Sequence, residues 1–292
     1  MTTATLDVKT HEFDVEDIEY LRHGDKPLLA RVFRPRGEGP FPALVECHGG
    51  AWCLSDRTTE RPRHEAMATH GIVSIALDFR SGNEHPYPAS VQDINYALRW
   101  TKLNARALKT RADLVGLSGQ ASGGHLAMLV AMRPRDPRYA AIPLPPGSDG
   151  HDATVRCVIM SWPVINPLSR YRLAQRVLAG ANPPEWPKSI IPRHDAYWRN
   201  EANMAEGNPM LALERDEKVA TPPAIWFQGR LRPAARLQGR AAALRCELPQ
   251  GRRRDHAGVY RCRAARWSPA GPVEDRRHVR AHGGVRGSAH QG

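Results

Sequence analysis

The stretch GLSGQASGGHLAML, residues 116–129, decides the fold. Gly119 and Gly123 stand two residues either side of Ala121, and an almost wholly apolar run follows. A Gly-x-Ser-x-Gly frame is the sequence form of a sharp strand-to-helix bend that exposes a nucleophile, with nothing bulky two positions before or after it. Here the framed residue is alanine, and the nearest hydroxyl on the helix side, Ser122, comes one position late. If Ala121 occupies the bend, the small flanking positions are Gly119 and Gly123. If Ser122 occupies it, they become Gln120 and Gly124, and a glutamine must fit where strand and helix converge. Sterics favour the first register and chemistry the second. Ser118 fits neither, because it lies before the glycine-framed bend.

Outward from this stretch, the first 229 residues alternate strand-like and helix-like segments, as an α/β fold does. PALVECHGG (42–50) and GIVSIALDF (71–79) are short apolar runs ending in turn residues, the mark of parallel strands buried on both faces. PASVQDINYALRWTKL (88–103) sets Val91, Ile94 and Leu98 at helical spacing and predicts an amphipathic crossover helix. RADLVGL (111–117) reads as the next strand, SGGHLAMLVAM (122–132) as a central helix, and TVRCVIMSW (154–162) and PPAIWFQG (222–229) as two further strands. Residues 163–212, rich in Pro, Asn, Trp and Arg, read as a lid or cap inserted over the sheet. Its aromatics, with the adjoining Trp162, include Trp186, Tyr197 and Trp198, which would either line a pocket or form the lid's own core.

Composition narrows the class. A chain of 292 residues, 41% hydrophobic, can bury one sizeable core. No run approaches the roughly 20 apolar residues of a membrane helix, and the N-terminal residues hold no signal-like stretch, so the reading is a cytoplasmic protein without a membrane partner. Five scattered cysteines form no CxxC pair and indicate neither disulfide framework nor metal site. The net charge of +12 is concentrated in residues 230–292, which hold 15 Arg, no Lys and 4 acids. That segment also lacks Ile, Phe, Met, Asn and Thr. Such a composition cannot offset its ordering entropy by burial, which predicts a poorly folded Arg-rich tail. Its aromatics are too sparse for a nucleic-acid platform, so no nucleic-acid partner is expected. A GC-rich gene read out of frame explains the joint loss of A/T-rich codons.

At ECHGGAWC (46–53) a strand ends in His48-Gly49-Gly50-Ala51-Trp52, where consecutive glycines let backbone N–H groups turn into a pocket. Asp78-Phe79-Arg80 and Tyr87-Pro88-Ala89, four residues before Asp93, follow in order, and then the glycine-framed bend with GGHLA. Together these motifs resemble the α/β-hydrolase superfamily, and within it the carboxylesterases related to hormone-sensitive lipase, feruloyl esterases and arylformamidases. The resemblance covers residues from about 17 to 229. It implies a parallel-dominated sheet flanked by helices, a small-molecule ester of acyl or aryl type as substrate, and serine acyl-enzyme chemistry without metal or organic cofactor. It also implies an oxyanion hole from Gly49, Gly50 and the N–H after the nucleophile. Ser122 is then the candidate catalytic serine, and Gly119, Ala121 and Gly123 the elbow.

The rest of the implied triad is wanting. The family's acid lies after the strand corresponding to AIWFQG, as an Asp-Pro pair, and here Arg232 precedes Pro233. The family's histidine has no counterpart in a Gly-His setting; His256, His278, His282 and His290 all fall in the tail. His48 and His125 read as structural hydrogen-bonders and Trp52 as packing beneath the loop. Two functions stay open: a carboxylic ester hydrolase inactive in this chain, or a noncatalytic ligand-binding homologue. The DNA around codons 228–235 is expected to show a second frame that continues the fold with large aliphatic residues. An upstream frame running intact into the tail, with no better alternative, would refute the frameshift.

Overall fold

The computed structural model describes residues 9–82, 84–148 and 150–228. Seven strands form one sheet in the order β1-β2-β4-β3-β5-β6-β7. They are β1 Phe13–His23, β2 Lys26–Pro35, β3 Ala43–Cys47, β4 Val73–Leu77, β5 Val115–Gln120, β6 Val158–Ser161 and β7 Ala224–Phe227. From β4 to β7 every neighbouring pair is parallel, whereas β1–β2 and β2–β4 are antiparallel. A parallel pair needs a crossover, and helices provide it on both faces: α1 Arg61–Thr69, α2 Ala89–Leu103 and α3 Ser122–Met132. This is the α/β architecture that the alternation of segments predicts.

Burial explains which segments became which element. All five residues of β3 and of β4 are buried, as are all eleven of α3, so that helix lies at the centre of the molecule. Val91, Ile94 and Leu98 of α2 are fully buried against the sheet. The strands are shorter than the apolar runs suggest. In the run from Arg111, Ala112–Leu114 forms a 3-10 turn and pairing starts only at Val115; in the run from Thr154 it starts at Val158.

The hairpin of β1 and β2 carries little apolar signal on its outer strand. Its register is set by β2, where Leu28, Ala30 and Val32 alternate into the core. Cross-strand ion pairs Arg31–Asp17 and Arg34–Glu16 tie the two strands together. Between β6 and β7 the chain makes α4 Pro167–Leu178, α5 Trp186–Trp198, α6 Glu201–Glu206 and α7 Pro209–Glu214. The Arg-rich tail, with Arg232 and the four late histidines, lies outside the described residues.

Beneath the sheet, α1 closes over a buried ionic cluster. Arg63 reaches Glu46 of β3 at 3.2 Å and Glu60 at 3.0 Å, and its guanidinium also donates to Ser118 of β5. Neither carboxylate oxygen of Glu46 is in hydrogen-bonding geometry. Burial therefore pushes the Glu46 carboxyl up to about 7 despite the nearby Arg63. A carboxyl whose pKa rises on folding stabilises the protein fully below its unfolded value and loses that contribution as pH climbs through the folded one. Stability measured by urea melts is thus expected to fall between about pH 4.5 and 7, and Glu46→Gln to flatten that slope; an unchanged slope would remove Glu46 as its source.

Candidate functional site

The two glycine-bearing turns meet at the carboxyl edge of the sheet. Strands β3 and β5 are adjacent, with Cys47 opposite Gly119, so the loops that leave them start side by side. A Cβ built on Gly49 would lie 3.5 Å from the Cβ of Ala121 and 3.3 Å from the carbonyl oxygen of Gln120.

Ala121, rather than Ser122, occupies the bend. Its backbone sits at φ 51° and ψ −113°, a region costly for a residue with a side chain. Three hydrogen bonds hold it there: its N–H donates to Ser161 O, and its carbonyl accepts from Val164 N and His125 N. The flanking glycines are obligatory. A Cβ on Gly119 would come within 2.4 Å of the Gly123 backbone, and one on Gly123 within 2.1 Å of the Cys47 carbonyl oxygen. Gln120 escapes this crowding because its side chain turns to α1, where its amide nitrogen donates to Glu60 Oε2 at 2.9 Å. Nothing in the sequence around Gln120 signals that partner.

Ser122 begins α3 and is 1% exposed, its Oγ without a hydrogen-bond partner among the described residues. A serine needs an adjacent base to become a nucleophile, and neither nearby imidazole provides one. His48 uses Nδ1 on the Gly49 carbonyl at 2.9 Å and stacks on Phe79 with ring centroids 4.1 Å apart. His125 is committed at both nitrogens: Trp52 Nε1–H donates to Nδ1 at 3.2 Å, and Nε2–H donates to Gly207 O at 2.7 Å. That pattern requires a neutral ring, and burial pulls its pKa down to about 4. Both histidines act as structural ties.

Gly50, at φ +99°, accepts from Cys53 N and Leu54 N at 3.1 Å each, closing a tight turn in which a Cβ would meet Leu54 O at 2.1 Å. Among the described residues no acceptor takes the backbone N–H of Gly49, Gly50 or Ser122. Gly49 adjoins the Ala121 side chain, and free backbone donors at a turn are the kind of group that stabilises a negative oxygen. Trp52, 1% exposed, packs beneath this loop on Tyr197 and Trp198, which are fully buried. Those two lid aromatics therefore form a packing core with Trp52, whereas Trp162 stands 46% exposed beside the bend.

The fold agrees with that of known proteins. The structure superposes on esterase B from Lactobacillus rhamnosis with a TM-score of 0.61 at 20% identity, over 80% of this chain and 71% of that one. An esterase from Pyrobaculum calidifontis gives a TM-score of 0.56 at 24% identity, over 77% and 70%. The fold is that of the α/β-hydrolases. Within it, residues 32–171 match the BD-FAE family model. Curated relatives from Mycobacterium tuberculosis include the probable carboxylic ester hydrolase LipM, 28% identical over 49% of this chain and 33% of LipM. The carboxylesterase NlhH is 36% identical over 33% of this chain and 30% of its own length. The matched stretch thus spans about a third of each relative. No helix among the described residues is long and apolar enough to cross a membrane, and no cluster there could hold a metal ion.

Gly123→Ala is expected to destabilise the fold by more than about 3 kcal/mol, since the clash is with backbone and cannot be relieved by a rotamer change. Urea denaturation checks this; a loss below 1 kcal/mol would mean that α3 and β3 are not packed as described.

Proposed function

We propose that this chain is built on a carboxylic ester hydrolase scaffold that binds a small-molecule ester and holds its carbonyl oxygen against the N–H groups of Gly49, Gly50 and Ser122. The observation that carries the reading is the strained bend at Ala121, set against the Gly49–Gly50 turn. Helices α4–α7 act as a lid over that edge. In a hydrolase with serine at this bend, the hydroxyl oxygen attacks the ester carbonyl while a base takes its proton. The oxyanion then collapses, the alcohol leaves with a proton, and water releases the acid from the acyl-enzyme. Alanine has no lone pair for the first of these steps.

The second reading, a noncatalytic ligand-binding homologue, rests on that same alanine and describes this chain as it stands. A catalytic role for Ser122 would need its sealed hydroxyl to reach both substrate and base. The chemistry of the missing serine explains why the two readings share one site: binding and oxyanion stabilisation survive its loss, and covalent catalysis does not.

A fluorophosphonate probe is expected to leave wild type unlabelled, and Ser122→Ala indistinguishable from it. Labelling of wild type that disappears in Ser122→Ala would establish Ser122 as the nucleophile. Ala121→Ser alone should recover little p-nitrophenyl ester turnover, because a triad acts as a unit whose single losses cost about 10⁴- to 10⁶-fold. Vigorous turnover from that one change would show that base and acid are already in place.

A further inference from the structure

At the carboxyl edge of the sheet, neighbouring strands end side by side. β5 runs into the bend at Ala121, β6 ends at Ser161 with Trp162 next in the chain, and β7 ends at Phe227. Hydrogen bonds pin these ends to one another. Ala121 N donates to Ser161 O, Val164 N donates to Ala121 O, and Trp162 N donates to Phe227 O, each at 2.9 Å. Trp162 therefore belongs to a segment held to the bend on both sides, and Phe227 is its direct neighbour.

Both side chains stand where large apolar groups are seldom left. Trp162 is 46% and Phe227 54% exposed, and among the described residues neither ring has an aromatic partner. The other aromatics of this edge behave differently: Trp52, Tyr197 and Trp198 are buried against one another. Trp162 also sits at φ 46°, a left-handed conformation in which a bulky side chain is strained. Pro163, the next residue, packs against Gly124 of α3, where an added Cβ would come within 3.0 Å of its ring. The strain at Trp162 displays an indole instead of burying it, and strained residues of this kind cluster at ligand sites.

We propose that Trp162 and Phe227 form an open apolar shelf that takes an elongated apolar arm of the bound ester, with Trp162 as the residue that sets the preference for arm length. The inference rests on the ester-binding reading above and adds the shape of the ligand. In that reading the carbonyl oxygen turns to Gly49 and Gly50, which follow β3 on one side of the bend. The shelf lies on the other side. Adjacent strands are about 4.8 Å apart, so Trp162 stands one strand and Phe227 two strands from Ala121. An acetyl or methoxy group ends at the bend, whereas a hexanoyl or hexyl arm running along the edge crosses onto both rings. Each methylene it withdraws from water tightens binding by up to about fourfold.

Calorimetric titration of the full chain tests this with methyl acetate as the short probe. Methyl hexanoate carries a long acyl arm and hexyl acetate a long alkoxy arm. Wild type is expected to bind at least one long ester about tenfold or more tightly than methyl acetate, and the one it prefers identifies the arm. Trp162→Ala should bring long and short esters within about twofold of each other, and Trp162→Phe should restore most of the preference. Leu213→Ala, which removes a side chain 41% exposed on α7, should leave the preference intact. Equal affinities in wild type, a preference that survives in Trp162→Ala, no recovery in Trp162→Phe, or an equal loss in Leu213→Ala would each overturn the shelf. Methyl acetate bound as tightly as the long esters would leave the ester-binding reading standing, whereas failure of every probe to bind would refute both proposals.

Discussion

The structure turns on a point where no side chain fits. Strand β5 ends, α3 begins and the β3 carbonyls of Cys47 and His48 close in within a single turn, so that hydrogen atoms must occupy the α-substituent positions of Gly119 and Gly123. That contact fixes which residue sits between them, and hence forces Ala121 into its strained backbone. It also determines that the next N–H, that of Ser122, starts the helix beside Gly49. Packing, rather than any property of residue 121 itself, selects the residue displayed at the sheet edge. The alanine keeps the conformation that a reactive side chain there would need and discards the chemistry.

This explains what could be read in advance. The glycine spacing around residue 121 is a steric requirement, so sequence alone favours the register with Ala121 at the bend. Strands β3 and β4, buried on both faces, announce themselves as unbroken apolar runs. The outer hairpin does not, because β1 places acidic and basic residues on an exposed face and pairs them with Arg31 and Arg34 of the next strand. The accommodation of Gln120 is invisible for a different reason. It depends on Glu60, 60 residues earlier, whose carboxylate is brought under the sheet only when α1 packs there. The same holds for the packing of α4 on α5, since the pairing of two helices inside residues 163–212 has no periodic signature. The triad's acid and base lie beyond any such reading, because the residues that would follow β7 are outside the description.

Among the described residues, buried polar atoms without a partner occur near the bend and also away from it, as at the Thr101 and Thr110 hydroxyls. Near it, the Ser122 hydroxyl and the His194 Nε2 face no partner among the described residues, and the Glu46 carboxylate is sealed within β3. Asp93, by contrast, is fully buried and well served, taking bonds from His23, Arg80 Nε and Arg80 N.

The ring of His125 has a mechanical consequence. It grips Trp52 with one nitrogen and the carbonyl of Gly207 with the other, so the glycine turn and the stretch joining α6 to α7 are fastened to the central helix by one neutral imidazole. Any movement of α6 and α7 away from α3 would break the bond to Gly207 at a ring that water does not reach. The stretch between α6 and α7 is thereby braced on the core as a strut is, its footing set in α3.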